Sequence, residues 1–255
     1  MVAGTAKMTS GLLWVYGSAM VSLGGRLMRI TPVTTAAIPS SLRKPGDIVT
    51  LADLRDRFDV PPERVWTVPI PGTATEKDVV YAEEHLDRLC ELVDGTLVEK
   101  AMGNQESFLA AAIIFVLNTF VIPRKLGFVF APDSMFRLFP GQIRMPDIAF
   151  VSLQRLPLGI SDKPIAAIAP DLAVEVLSAS NTLKEMNRKR HEYFTAGVRL
   201  VWIVDPKTRS ITVHTSAEAF QEFTGDQLID GGNVLPDFTV RVSDIFSGLD
   251  LHADE

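Results

Sequence analysis

IRMPDIAFV (143–151), PDLAVEVLSASN (170–181), KEMNRKRHEYF (184–194) and GVRLVWIVDP (197–206) together set the architecture of the chain. In order these are a strand, a strand, a helix and a strand. Asp147 falls in the first strand, Glu175 in the second and Lys189 on the helix. Both acidic strands are apolar on either face: Met145 and Ala149 flank Asp147 with Ile148 and Phe150 opposite, and Ala173 and Leu177 flank Glu175 with Val174 and Val176 opposite. Strands of that kind sit in mid-sheet, covered on both sides. A carboxylate placed there loses its water, at a cost of roughly several kcal/mol unless a cation, a metal or strong donors compensate it. Two of them call for a shared partner.

On an ideal helix, Leu183, Met186, Tyr193 and Phe194 form the stripe that faces the sheet, and Lys189 lies at its edge beside Tyr193. Its ammonium can reach along the sheet toward the acids. Two acids able to hold Mg²⁺, with a cation able to steady or help deprotonate a water, suit phosphodiester hydrolysis. Spacing alone leaves two plainer readings open: the acids as ion-pair partners of Arg144 or Arg199, and Lys189 on a solvated helix face.

On the N-terminal side, residues 1–45 carry little pattern. Lys7, the apolar run from Gly11 to Gly25 and then Arg26 imitate a signal peptide, but the run is too short to span a membrane and no clean cleavage site follows. A poorly ordered extension, or a start codon placed too early, is expected there. Residues 46–74 are expected to hold a short helix, TLADLRDRF (50–58), and a Pro-rich linker, ahead of one domain over 75–255. Thr73 stands at capping-box spacing from Glu76, though Thr75 is equally placed to cap the helix that follows. ELVDGTLVEKA (91–101) reads as a hairpin around Asp94-Gly95. NQESFLAAAIIFVLNTFV (104–121) is apolar nearly all round, which predicts a buried core helix closed by Pro123. GFVFAPDSMFRLFPGQIRMPDIAFV (127–151) predicts an antiparallel meander of three strands ending on the Asp147 strand. A long loop over 152–169 follows, of the kind that tends to be functional. Ser180 or Asn181 can cap the Lys189 helix and Gly197 can end it. The remainder gives two or three further strands and a terminal turn. The fold class is α/β (α+β): a mixed central sheet flanked by helices, with an N-terminal extension.

Composition bounds the function. Of 255 residues, 47% are apolar and 22% charged, which is ordinary globular usage. A formal charge of −6 argues against non-specific coating of nucleic acid and leaves room for a local basic groove. The single cysteine, Cys90, excludes an internal disulfide framework and a Cys-rich zinc site, and suits a reducing cytoplasm. Any metal would be held by oxygen. Ser178 and Ser180 lack a histidine base in any recognisable motif and suit capping better than nucleophilic catalysis.

The quoted stretches, together with ELVDGTLVE (91–99), resemble the Uma family of putative restriction endonucleases, a branch of the PD-(D/E)XK nuclease superfamily, over residues 75–246. That resemblance implies a restriction-endonuclease-like core, a DNA endonuclease dependent on Mg²⁺ or Mn²⁺, and Asp147, Glu175 and Lys189 as its catalytic set. In one respect the chain departs from the superfamily pattern. The usual lysine lies two residues after the second acid, where Leu177 stands; in this branch it moves to the following helix, hence Lys189. Glu106 is a candidate third metal ligand, though it would equally complement a helix N-terminus; Gln105 and Glu99 are weaker candidates. Lys184, Arg188 and Arg190 are candidate phosphate contacts, although the stem of Arg190 could simply pack. DNA is the expected partner, a homodimer is compatible, and no membrane is expected. The alternative is a nuclease-like module that binds nucleic acid without cutting; a third reading is a structural domain with a buried salt-bridge cluster. If the site is real, the two carboxylates share a face and repel, so one should titrate high while the lysine partly opposes that rise.

Overall fold

The structure, a computed structural model, describes residues 57–250 apart from Met102, together with Asp53 and three strand segments between residues 13 and 30. The chain forms two compact units, 1–47 and 48–255. In the first, β1 (Leu13–Val15), β2 (Ser18–Leu23) and β3 (Arg26–Ile30) pair in order as an antiparallel sheet. No strand signal marks this stretch in the sequence pattern; the remainder of the expected extension lies outside the described residues.

In the second unit, α1 (Glu76–Leu86) starts at Thr75, whose backbone N–H and hydroxyl both donate to Asp78 Oδ2 at 2.7 Å. Of the two candidate caps it is therefore Thr75 that serves. β4 (Cys90–Val93) and β5 (Thr96–Glu99) form the expected hairpin, with Leu92 opposite Leu97. Asp94 and Gly95 turn the chain with φ of 49° and 69°, the doubly left-handed geometry that Asp-Gly favours. Gly95 also needs to be glycine for space, because a Cβ there would stand 2.7 Å from the backbone of Gly72.

That close approach shows what the Pro-rich linker does. Gly72 and Ala74 each donate to the Gly95 carbonyl at 2.8 Å, Trp66 donates to the Leu97 carbonyl at 2.9 Å, and Phe58, Val60 and Val65 share a buried cluster with Val93 and Val98. The segment over 57–74 is thus packed into the domain, and the boundary expected at residue 75 gives way to one at 48. The helix expected over 50–58 is described at Asp53, Arg57 and Phe58, all helical.

α2 (Asn104–Arg124) runs one residue past Pro123 and ends on Lys125, in the left-handed conformation. It buries Leu109, Ala110, Ile113, Leu117 and Val121, but Phe108, Phe115 and Ile122 are 42%, 69% and 64% exposed. It is therefore not the all-round core helix that its composition predicts. With apolar residues on every side the sequence carries no contrast to mark which row meets the sheet. Among the described residues α2 is the one helix long and apolar enough to cross a membrane, and its buried row packs on the sheet.

The expected meander is divided between two sheets. β6 (Gly127–Phe130) pairs with β9 (Ile148–Ser152), while β7 (Met135–Phe139) and β8 (Gln142–Arg144) form a hairpin that joins β4. Pro146, which has no N–H for a ladder, splits IRMPDIAFV into β8 and β9 and leaves Asp147 just ahead of β9. One sheet has the order β10 (Ile165–Ala166), β7, β8, β4, β5. The larger has the order β14 (Phe220–Thr224), β13 (Ser210–His214), β12 (Leu200–Asp205), β11 (Leu172–Val176), β9, β6. In it β11 and β12 are parallel, joined across α3 (Leu183–Thr195), and the other pairs are antiparallel. β15 (Leu228–Gly231), β16 (Leu235–Arg241) and α4 (Val242–Phe246) complete the chain's mixed α/β architecture.

α3 is capped by Thr182, whose hydroxyl accepts from Glu185 N at 3.1 Å, one or two residues beyond the expected caps. It ends at Gly197 (φ 88°), where Gly197 donates to the Phe194 carbonyl and Val198 to the Tyr193 carbonyl, each at 3.0 Å. This is a Schellman closure. The buried row is Glu185, Met186, Lys189 and Tyr193, whereas Leu183, expected to face the sheet, is 86% exposed. Leu183 lies about 110° around the helix from the centre of that row.

Candidate active site

In the antiparallel pairing of β11 with β9, Ala173 lies across from Ala149 and Val174 from Ile148. One further step of this register sets Glu175 across from Asp147, and directly opposed residues share a face. Ala149, Ala173 and Val201 lie on that face, under Tyr193 of α3. Lys189 reaches it too: its Nζ is 3.3 Å and 3.2 Å from the two oxygens of Glu175. One turn later Tyr193 donates its hydroxyl to Glu175 Oε1 at 2.5 Å. The structure thus brings together the three residues expected to form the site.

Their partners differ from the arginines considered on spacing. Asp147 Oδ1 pairs with Lys100 Nζ at 2.9 Å, and Oδ2 accepts from Val176 N at 2.7 Å. Lys100 is fixed in turn by the carbonyls of Pro132 (2.9 Å) and Met145 (2.6 Å). Arg199 instead pairs with Asp171. Arg144 pairs with Glu91 at 2.7 Å and Glu192 at 2.6 Å. Glu91, buried on β4, accepts from Met145 N at 3.1 Å and lies 3.1 Å from Lys189. Lys189 therefore bridges Glu175 and Glu91.

Glu91 and Lys100 are the residues that sequence reasoning misses. Glu91 carries the same signal as Asp147, an acid in an apolar strand flanked by Cys90 and Leu92. Lys100 carries no local signal. Its neighbour Glu99, a weak candidate ligand, turns away to accept from Trp66 Nε1 at 3.1 Å and Arg88 at 3.0 Å. Arg64 also bears on the site. It is buried, bonds the Glu99 carbonyl at 2.9 Å and grips Glu185 of α3 through two bonds of 3.1 and 2.9 Å.

The charges shift one another as burial and pairing dictate. Burial pushes the Glu175 carboxyl up; Lys189 opposes this, and the nearby charges of Asp147 and Glu91 add to the rise. The rise expected at one of the acids is found at Glu175, with burial as its first cause. Burial acts to raise Glu91 as well, but Lys189 and Arg144 outweigh it and hold its carboxyl well below the usual range. For Lys189, burial disfavours the charge while Glu175 and Glu91 more than restore it, so the ammonium persists above its ordinary range. Burial and the Glu175 charge push the Tyr193 hydroxyl far up, keeping it a donor.

The remaining candidates fall outside this cluster. Glu106 lies in the first turn of α2, folded back over Gly103, and is not among the partners of Asp147 or Glu175. Gln105 beside it is exposed. Lys184 is exposed on the first turn of α3. Arg188 is engaged by Asp94 at 2.8 Å and Glu192 at 2.7 Å. Arg190 is half-buried beside His214, its Nε without a hydrogen-bond partner. Ser178 and Asn181 form a capping turn, with Ser178 N donating to Asn181 Oδ1 at 2.9 Å.

Whether a divalent ion fits turns on the donor set. Among the described residues no three acidic, histidine or cysteine side chains converge to hold a metal. Mg²⁺, however, is commonly held by one or two carboxylates, with water and phosphate oxygens completing its shell. Asp147 and Glu175 supply such a pair: both Asp147 oxygens and Glu175 Oε2 accept one bond each and keep a lone pair, whereas Glu175 Oε1 already accepts from Lys189 and Tyr193. The residues fit a small hard cation.

The Uma2 family, described as "Putative restriction endonuclease", matches residues 76–243. Among solved structures, a putative nuclease belonging to DUF820 from Anabaena variabilis is similar, with a TM-score of 0.58 and 21% identity over 64% of this chain and 92% of that one. At that identity the likeness is one of fold. No curated protein matches the chain. The family match covers well over half of the sequence and takes in the β4–β5 hairpin, both acid strands and the Lys189 helix. The chain therefore belongs to the Uma2 family of putative restriction endonucleases and carries the nuclease-like fold that goes with it.

Proposed function

We propose that the protein is a divalent-metal-dependent DNA endonuclease that hydrolyses phosphodiester bonds at Asp147 and Glu175. The observation that carries this reading is the side-by-side placement of these two carboxylates on one sheet face, with the Lys189 ammonium against Glu175. When bound, Mg²⁺ or Mn²⁺ would supply Lewis-acid stabilisation of charge on the phosphate. The chain's own groups do the rest. Asp147 and Glu175 hold the ion. Lys189, kept protonated by Glu175 and Glu91, acts as a fixed positive charge that orients the water and stabilises the phosphorane-like transition state rather than as a base. Tyr193 orients Glu175, and Lys100, anchored on two carbonyls, orients Asp147. Lys184, Arg188 and Arg190 are the basic residues of α3 proposed to meet backbone phosphates, Arg188 only by leaving the two acids that hold it.

The test is nicking of supercoiled plasmid with Mg²⁺, Mn²⁺ or chelator. Metal-dependent nicking that vanishes in Asp147→Asn and Glu175→Gln supports the assignment. Nicking undiminished in Asp147→Asn rejects it.

A second reading, a module that binds nucleic acid without cutting, draws on a specific observation as well. Asp147, Glu175 and Lys189 are only 4%, 5% and 3% exposed, and each acid is already paired with an ammonium. Calorimetric titration separates the two. Stoichiometric Mn²⁺ binding lost in the Asp147 variant favours the enzyme; DNA binding with no Mn²⁺ heat favours the module.

A further inference from the structure

Lys100, the residue after β5, turns its ammonium into a cage of oxygens. Its Nζ lies 2.9 Å from Asp147 Oδ1, 2.9 Å from the Pro132 carbonyl and 2.6 Å from the Met145 carbonyl, with the side chain 4% exposed. A lysine ammonium has three N–H donors, and three oxygens meet it here. Pro132 lies in the turn between β6 and β7, and Met145 and Asp147 flank Pro146 in the break between β8 and β9, so neither carbonyl belongs to a strand residue. At its other end Lys100 is fixed by its backbone N–H, which donates to the Leu89 carbonyl at 2.8 Å. Carboxylates and backbone carbonyls are the donors by which proteins hold hard metal ions. Lys189 is held by longer contacts, 3.3 and 3.2 Å to Glu175 and 3.1 Å to Glu91, all of them to carboxylates.

We propose that the Lys100 ammonium stands where a second metal ion would otherwise bind, so that the protein takes up one divalent ion per chain. The proposal rests on the nuclease reading and narrows it. Two-metal hydrolytic sites hold their ions about 3.5–4 Å apart, as a clamp on the attacking and leaving oxygens. Asp147 is the residue that such a pair would share, because it stands across from Glu175 and also closes the cage. A tethered ammonium in the cage supplies positive charge there at every metal concentration, and its repulsion keeps a second divalent ion out. Lys100 acts through Asp147 and is therefore a positioning residue. When the single ion binds, the shorter contacts of Lys100 persist, while Lys189 yields Glu175 and keeps Glu91.

Calorimetric titration of the full chain with Mn²⁺ should count one ion per chain. Lys100→Ala empties the cage and should raise the count to two, a change that loss of a merely structural ion pair would not make. n-Propylammonium, which replaces the deleted stem and charge, should return the count to one; 1-propanol, similar in size and uncharged, should not. Two ions on the wild type, one on a folded Lys100→Ala, or a second ion that propylammonium fails to displace overturns the proposal and leaves the nuclease reading in place. No ion on the wild type removes both. Should Lys100→Ala fail to fold, the wild-type count decides by itself.

Discussion

β9 and β11 carry two different interiors on their two faces. On one, Ile148, Phe150, Val174 and Val176 meet Leu109, Ile113 and Leu117 of α2 in an apolar cluster. On the other, Asp147 and Glu175 meet Lys100, Lys189 and Tyr193. The same backbone could have been covered twice with aliphatic side chains. Replacing a buried ion cluster by apolar groups of similar volume is commonly neutral or stabilising, while removing one member of it is costly. Folding therefore explains the α2 face and not the α3 face. The proposed metal site would give the charges on the α3 face a role that folding does not.

Substitutions on each face put that contrast to the test. The largest effect is expected at Lys189. Lys189→Met should cut metal-dependent nicking by roughly 10²–10³-fold. It should also destabilise the fold by about 3–5 kcal/mol in denaturant titration, because Glu175 and Glu91 lose their shared cation. Adding Glu175→Gln to Lys189→Met should recover part of the stability and none of the activity. Recovery of both would mean that the cluster is only structural.

Leu117→Ala, on the apolar face, should cost about 2–5 kcal/mol of stability through lost burial and a residual cavity. Nicking per folded molecule should stay near the wild-type level. An activity loss as deep as that of the lysine variant would show that the two faces cannot be separated.

A smaller effect is set by pH. Burial, with Arg190 nearby, lowers the pKa of His214 from its ordinary 6.5 to about 4. The unfolded chain takes up the proton first, so stability is complete above about pH 6.5 and is lost as pH falls toward 4. With partial solvent screening of the ring, the loss is on the order of 2 kcal/mol. Melting temperatures at pH 7.5 and pH 5 should differ less in His214→Gln than in the wild type, if both are otherwise well folded. The smallest effect is expected at the half-exposed pair of Arg188 and Asp94, where Arg188→Ala should change stability by less than about 1 kcal/mol.

The α3 face is the more legible in the sequence, because a charge inside an apolar strand breaks a pattern that needs no partner to be seen. Asp147 and Glu175 stand out for that reason, and Glu91 bears the same mark; Lys189 is found instead from its place beside Tyr193 at the edge of the sheet-facing stripe of its helix. Lys100 and Arg64 cannot be found this way. Lys100 matters through the Pro132 and Met145 carbonyls, and Arg64 through Glu185, 121 residues away. Strand pairing is hidden for a similar reason: β7 follows β6 in sequence, yet β6 pairs with β9, a choice made by tertiary packing. On α2, residues apolar on every side leave the covered row unmarked. The hairpin at Asp94-Gly95 and the closure at Gly197 are legible because their backbone chemistry is local.

Everything proposed for the α3 face rests on Asp147 and Glu175 jointly holding a divalent ion. Diffraction from crystals soaked in Mn²⁺, with data collected at the manganese absorption edge, decides the matter. One anomalous peak is expected between the two carboxylates, with at least one of the Lys100 and Lys189 ammonium groups withdrawn from its carboxylate. Saturating Mn²⁺ that leaves both lysine pairs intact, with no peak between Asp147 and Glu175, would rule the metal site out.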